Sequence, residues 1–364
     1  MSRPSVTLVL LLAASVFACR PTETTPPGEG GDAAGPAVRA DDPVTEIQRL
    51  VEQGRLEEAQ AAAEAAVAEA PEDPERHFAL AVVLQRRGQA EASRAAFERT
   101  VALAPDLAPA QAGLGAVALE LGDLDAAEQA LSRAVAIDPE MVEAHYNLGL
   151  VRAARGDLAG ARKALEAAAD LAPDDVDVQA ALASVLVDAG DLAGARRAAA
   201  RALAAAPDDP YVLHAAAEVD LATGHVDAAI AKLERAAAAD GATEVRLALA
   251  AALVRRGRRE DLERAISLLE PLAATEAPDV LVTLGSARAK AGRLTEALAA
   301  FDAAIEAAPE AVGPRVRRVG VLADLGRCAE ARAEARRISS LAPGSKGAAV
   351  ADRAARKCRT GRRR

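Results

Sequence analysis

The chain of 364 residues has four histidines, His77, His145, His214 and His225, and three cysteines, Cys19, Cys328 and Cys358. Imidazoles and thiolates are the side chains that most often move protons or hold metals. A zinc site needs several of them at close spacing, but these are far apart, none lies in HExxH, and no Cys/His spacing resembles a zinc site. There is no GxSxG to present a serine nucleophile and no GxxxxGK[ST] to cradle phosphate. Carboxylates are plentiful, but Asp123, Asp157 and Asp191 each follow a glycine, and Asp174-Asp175 and Asp208-Asp209 each follow a proline. At such places aspartate caps a turn or a helix N-terminus. The residues therefore predict no enzyme, no metal and no cofactor.

The glycines and prolines themselves keep a strict period. Gly54, Gly88, Gly122, Gly156, Gly190 and Gly224 are spaced by 34, and so are Pro71, Pro105, Pro139, Pro173 and Pro207. The series resume at Gly292 and Gly326 and at Pro309 and Pro343. A small residue stands five after most of these glycines: Ala59, Ser93, Ala127, Ala161, Ala195, Ala229, Ala297 and Ala331. Apolar residues at helical spacing fill both halves of each unit. In the third unit Ala127, Leu131 and Ala134 form the stripe of the second helix. Each unit thus reads as two helices, with glycine at the tight turn and proline ending the second helix. Neither helix can bury its stripe alone, so units must stack. Aromatic content of 2% and the absence of Trp argue against one large globular core.

The fourth unit, EAHYNLGLVRAARGDLAGARKALEAAADLAPDD, carries Leu148-Gly149, Gly156, Ala161, Leu165, Ala168 and Pro173. It resembles the tetratricopeptide repeat (TPR). The resemblance implies an all-α fold: a right-handed superhelical solenoid of about nine helix pairs over residues 43–343. His145, and His77 two units earlier, hold the position where the family places a packing residue. The seventh unit is irregular near 240–278. Gly257 comes one residue early, "RRE" is inserted before the second helix, and Pro271 falls within that helix. A bend or altered stacking is predicted there.

The family binds through a concave face lined by first helices. Carried over by position, that face includes Phe78, Val82, Arg86, Tyr146, Asn147, Leu150, Tyr211, His214, Glu218, Val282, Thr283, Val316 and Arg317. Many other groove positions are alanine, so the groove reads as smooth and mildly apolar. The family's carboxylate clamp would need Lys and Asn before Asn147 and Lys or Arg after it, and those places hold Ala112, Ala116, Asp177 and Ala181. An extended or helical protein segment is the expected partner.

The two ends add location. Residues 1–18 carry Arg3 and an apolar run from Val6 to Ala18, too short for a membrane span and suited to an export signal. Val16-Phe17-Ala18-Cys19 resembles the bacterial lipobox, which implies acylation of Cys19 and a lipid anchor in the cell envelope. Arg20 does not match the aspartate that retains lipoproteins in the inner membrane, so the outer membrane facing the periplasm is expected. Residues 19–42 read as a lipidated cysteine and a disordered tether, with a reach of roughly 25 Å.

At the other end, residues 344–358 read as a capping helix. Cys328 lies 15 residues before Pro343 and Cys358 lies 15 after it, so antiparallel helices would bring them together as a disulfide. From Arg315 onward 15 Lys and Arg stand against 4 Asp and Glu, in a chain of net charge −10. Arg356, Lys357, Arg359, Arg362, Arg363 and Arg364 crowd the last residues, with 359–364 as a basic tail. The tail either lies solvated or meets anionic lipid, lipopolysaccharide or an acidic partner. Nucleic acid is not an expected partner. The reading is a periplasmic protein–protein scaffold for assembly of an envelope complex (pilus, secretin or outer-membrane protein machinery). The alternative is an exported binder of cell-wall glycan or polysaccharide.

Overall fold

A computed structural model describes residues 42–358. Among these residues there are nineteen α-helices and no strand. Two compact units, divided between Asp191 and Leu192, are taken in turn. The first holds α1 (Pro43–Glu52), α2 (Leu56–Glu69), α3 (Pro74–Arg86), α4 (Ala90–Leu103), α5 (Ala108–Glu120), α6 (Leu124–Ile137), α7 (Val142–Arg155), α8 (Leu158–Leu171) and α9 (Val176–Ala189). The second holds α10 (Leu192–Ala205), α11 (Pro210–Ala222), α12 (Val226–Ala239), α13 (Thr243–Arg256) and α14 (Arg259–Leu269). It continues with a 3₁₀ segment (Glu270–Thr275), α15 (Pro278–Lys290), α16 (Leu294–Ala307), α17 (Val312–Asp324), α18 (Cys328–Leu341) and α19 (Lys346–Lys357). Within each unit every helix packs on its chain neighbours, and most first helices also touch the next first helix.

Local chemistry sets the boundaries. Proline opens α1, α3, α11 and α15, where its missing N–H costs nothing. Asp73, Asp123, Asp157, Asp175 and Asp209 each accept a backbone N–H from the first turn of the following helix. Those five carboxylates serve helix ends, and Asp73 and Asp123 also meet Arg76 and Arg94. Asp208 instead pairs with Arg235. Gly156 closes α7 at φ +81°, a conformation that an L side chain would strain.

Packing follows the small residues. Ala59, Ser93, Ala127, Ala161, Ala195, Ala229, Ala297 and Ala331 are all fully buried. Ser93 hides its hydroxyl by donating to Ala81 O at 2.8 Å. The facing helix supplies a second small residue. A Cβ placed on Gly115 would lie 2.4 Å from Leu131 Cγ, and one on Gly149 would lie 2.6 Å from Leu165 Cγ. Leu131 and Leu165 are fully buried against these glycines, each worth about 1.5–3 kcal/mol of burial.

The seventh repeat replaces this alanine packing with larger aliphatics. Leu249, Leu253, Leu262, Ile266, Leu269, Leu272 and Leu284 share one cluster. The expectation for its second helix is corrected in two respects. Of "RRE", only Arg258 precedes the helix, because Arg259 and Glu260 are already helical. Pro271 is not inside an α-helix but at the start of the 3₁₀ segment, where no N–H is needed. Glu276, at φ +56°, then turns the chain into α15. Arg256 holds the nearly buried Asp261 through two bonds of 2.6 and 2.7 Å.

At the end of the second unit, α19 lies on α17 and α18 and buries Ala348, Ala351 and Ala355. Cys328 and Cys358 are bonded, with their Cα atoms 5.5 Å apart. Close by in the sequence, the buried Arg315 joins Glu334 at 2.6 Å, and Glu334 also meets Arg318 at 3.2 Å.

Two glycine substitutions should have opposite signs. Gly149→Ala drives a methyl into Leu165 and should cost about 1–3 kcal/mol. Gly320→Ala, in the interior of α17 with open space around the new methyl, should stabilise by about 0.5–1 kcal/mol. Urea denaturation followed by circular dichroism checks both.

Candidate functional site

The first helices carry the positions expected to meet a partner. Their side chains divide by exposure. Arg86 and Arg317 are exposed, and Phe78, Tyr211, Glu218 and Val282 are half-buried. Phe78 is partly committed to its own pair, edge-on to Phe97 with centroids 5.8 Å apart. Val316 packs towards the cap, where a Cβ on Gly347 would come within 3.3 Å of it. Arg317 donates to Gly313 O at 3.3 Å.

Four expected groove residues are corrected. Tyr146 is 3% exposed, Asn147 5%, His214 4%, and Leu150 is fully buried. They do not stand open to solvent, because the central first helices α5, α7, α9 and α11 are covered round most of their circumference. The contrast drawn from the sequence between an inward His145 and an outward Tyr146 is reversed. His145 is the more exposed of the two, and its Nε2 bonds Pro139 O at 2.9 Å.

That bond belongs to a series the sequence reading missed. His77 Nε2 bonds Pro71 O at 2.8 Å. Gln111 and Gln179 donate to Pro105 O and Pro173 O at 3.1 and 2.9 Å. Arg315 donates to Pro309 O at 2.9 Å. Each reaches back six residues to the carbonyl of the proline in the turn, just past the C-cap of the preceding helix. The position usually given to a packing residue here serves as a polar clasp between successive pairs. Where it is Leu213, the Pro207 carbonyl accepts from Arg235 instead, at 2.9 Å. The signal was present: His, Gln, His and Gln recur at the 34-residue period, six after each proline.

His214 is a different case. It is enclosed, its Nδ1 has no hydrogen-bond partner, and burial pushes its pKa down to about 4 although Glu244 pulls the other way. No group of three or more His, Cys, Asp or Glu among the described residues could hold a metal ion. Arg356 and Lys357 are exposed in the last turn of α19. Cys19, the tether to Asp41, Arg359 and Arg362, Arg363 and Arg364 lie outside the described residues.

The histidine gives a signed pH prediction. Its folded pKa is depressed, so between pH 6.5 and about 4 the unfolded chain binds a proton that the folded chain refuses. This contribution to stability is complete above pH 6.5 and is lost as pH falls towards 4. His214→Leu should therefore flatten the fall in melting temperature over that window, as thermal scans at stepped pH will register.

Comparison with known proteins agrees with this architecture. A model described as tetratricopeptide repeat matches residues 44–108, 112–176, 258–312 and 282–346. A second model of the same description matches 152–219. No curated protein matches the chain. A solved structure of pilF from Pseudomonas aeruginosa is similar at TM-score 0.50 and 20% identity, covering 56% of this chain and 93% of that one. A structure of the APC/C hetero-tetramer Cut9-Hcn1 is similar at TM-score 0.50 and 16% identity, covering 86% of this chain and 55% of that one. These likenesses concern the fold. With the first family model spanning more than half of the residues, the chain belongs to the tetratricopeptide-repeat family.

Proposed function

We propose that the chain is a lipid-anchored scaffold of the bacterial cell envelope, outside the class of enzymes, that holds a protein partner against its first helices. One observation carries the reading. The positions between paired helices are repetitive, mostly Ala and Leu, whereas first-helix positions that keep solvent access differ from repeat to repeat: Phe78, Arg86, Tyr211, Glu218, Val282 and Arg317. Uniform packing with a varied face is how a stacked scaffold acquires specificity, since the packing positions set the fold and the face sets the partner. Removal of the buried residues from the face leaves it more polar than the sequence suggested. The first unit keeps Phe78 and Arg86 accessible on its first helices, and the second keeps Tyr211, Glu218, Val282 and Arg317. Such a face suits a protein segment that brings both apolar and acidic side chains.

Val16-Phe17-Ala18-Cys19 supports the anchor, and residues 20–42 would hold the repeats away from the bilayer. Arg20, in place of the aspartate that retains lipoproteins in the inner membrane, supports the outer membrane as the site of the anchor, and assembly of an envelope complex is the role proposed for the scaffold there.

The test is crosslinking in whole cells followed by detergent extraction. Photo-crosslinker at Tyr211 or Arg317 should capture a protein, and crosslinker at Arg133 on the second helix α6 should not. With the probe at Tyr211, Arg317→Glu should weaken capture at least tenfold, and with the probe at Val282, Tyr211→Ala with Arg317→Glu should do the same, with circular dichroism melts verifying that each variant is folded. Equal capture from Arg133, or unaltered capture by the variants, overturns the partner reading. Failure of Cys19→Ser to abolish acyl labelling overturns the anchor reading separately.

A further inference from the structure

Many arginines of the repeats are engaged. Arg94 joins Glu98 and Asp123, Arg155 joins Asp125 and Glu128, and Arg293 joins Glu263, Glu270 and Glu296. Exposed Arg133, Arg196, Arg197, Arg201 and Arg259 join no carboxylate among the described residues, and what sets the C-terminal cap apart is a row of such cations around an exposed aliphatic side chain. Lys346, Val350, Arg353 and Lys357 recur at i, i+4, i+7 and i+11 on α19, and all four are exposed. Ala348, Ala351 and Ala355 face the opposite way, into the protein. Asp352 lies off the stripe by its register. Neither Lys346, Arg353, Arg356 nor Lys357 meets a carboxylate among the described residues, and the same holds for exposed Arg332, Arg336 and Arg337 on α18.

The stripe is not purely cationic. Val350 is 45% exposed, and Leu341 at the end of α18 is 37% exposed. They are two of only four large apolar side chains exposed among the described residues, the others being Ile137 and Leu171. With its alanine face buried in the protein, α19 turns outward a row of Lys and Arg around one exposed aliphatic side chain, a face suited to the headgroup region of a membrane. There the cations meet phosphates and the aliphatic group reaches the acyl boundary. In sequence Arg359, Arg362, Arg363 and Arg364 extend the charge. The Cys328–Cys358 bond ties the far end of the helix to the start of α18, and Ser345 caps the near end by accepting from Ala348 N at 3.1 Å.

We propose that the outward face of α19 docks on a bilayer of anionic phospholipid, as a membrane contact separate from any lipid at Cys19. An acidic protein surface is the competing occupant, and a second copy is the nearest example. Some of its carboxylates are engaged, Asp123, Asp157, Asp175 and Asp209 at helix ends and Glu128, Glu296 and Glu330 with arginines, while exposed Glu52, Glu91, Asp106, Asp170 and Asp240 make no ion pair among the described residues, so self-association is the outcome the test must separate. Among the described residues the only large apolar side chains such a copy exposes are Ile137, Leu171, Leu341 and Val350, so it gives Val350 few apolar contacts. An anionic bilayer satisfies both the free cations and the free aliphatic group.

Flotation of the chain from Arg20 onward, without the apolar run Val6–Ala18 and without Cys19, tests this with neither a signal segment nor an acyl chain present. The probes are phosphatidylcholine vesicles and vesicles of equal parts phosphatidylcholine and phosphatidylglycerol. Binding should be confined to the anionic vesicles and should fall with added salt. Each surface cation is worth about fivefold in partitioning, so Lys346→Glu with Arg353→Glu and Lys357→Glu should weaken binding about a hundredfold or more. Val350→Asp should weaken it further, and the conservative set Lys346→Arg, Arg353→Lys and Lys357→Arg should retain it. All these positions are exposed, and circular dichroism melts will verify folding. Equal binding to neutral vesicles, or undiminished binding by the charge-reversed variant, overturns the proposal. So does a chain that ignores vesicles but self-associates through the same residues.

Discussion

Everything in this molecule depends on how closely the two helices of a pair can approach. Fully buried Ala127 and Ala161 stand on second helices, and Gly115 and Gly149 stand on the first helices they face. With no side-chain volume at those points, Leu131 and Leu165 settle directly over glycine, and the pair closes into one layer. Van der Waals gains and burial in that layer stand in for the aromatic core that the composition lacks. The contact is local, so the energy is distributed along the chain, repeat by repeat.

Close pairing leaves the ends of helices to be satisfied, and the protein does this with short polar reaches. Aspartates cap N-termini, while His77, Gln111, His145, Gln179 and Arg315 take the carbonyls of the prolines six residues earlier. Arginines then bridge neighbouring repeats along the second-helix side, as Arg94 does to Asp123 and Arg264 does to Glu234. Most of these pairs are exposed and individually weak, so they align the stack more than they stabilise it. Arg256 with Asp261, and Arg315 with Glu334, are the more enclosed exceptions, at the irregular seventh repeat and beside the cap.

The repeat was legible because glycine and proline report backbone conformation directly, and a fixed spacing between them cannot hide. The Cys328–Cys358 pair was legible for the same reason, since Pro343 sits midway between them. Side-chain burial on the first helices was not. Tyr146 and Tyr211 occupy different places along their helices, and the sequence alone does not say that one is enclosed and the other half-open. His145 was misassigned because a family position was read as packing, when an imidazole there has a carbonyl within reach. The seventh repeat was recognised as irregular, but how a 3₁₀ turn absorbs its proline depends on Leu269 and Leu272 packing into the same cluster, a tertiary effect.

Hydrogen exchange followed by mass spectrometry tests most directly whether stability is built pair by pair. Stacked pairs with one clasped end should show graded protection in the second unit. Under oxidising conditions α18 and α19 should exchange as slowly as α16. With the Cys328–Cys358 bond reduced, exchange should speed up first in α19 and α18, leaving α13 and α14 unchanged. Acceleration throughout the unit at once would instead reveal a single cooperative core and contradict the account.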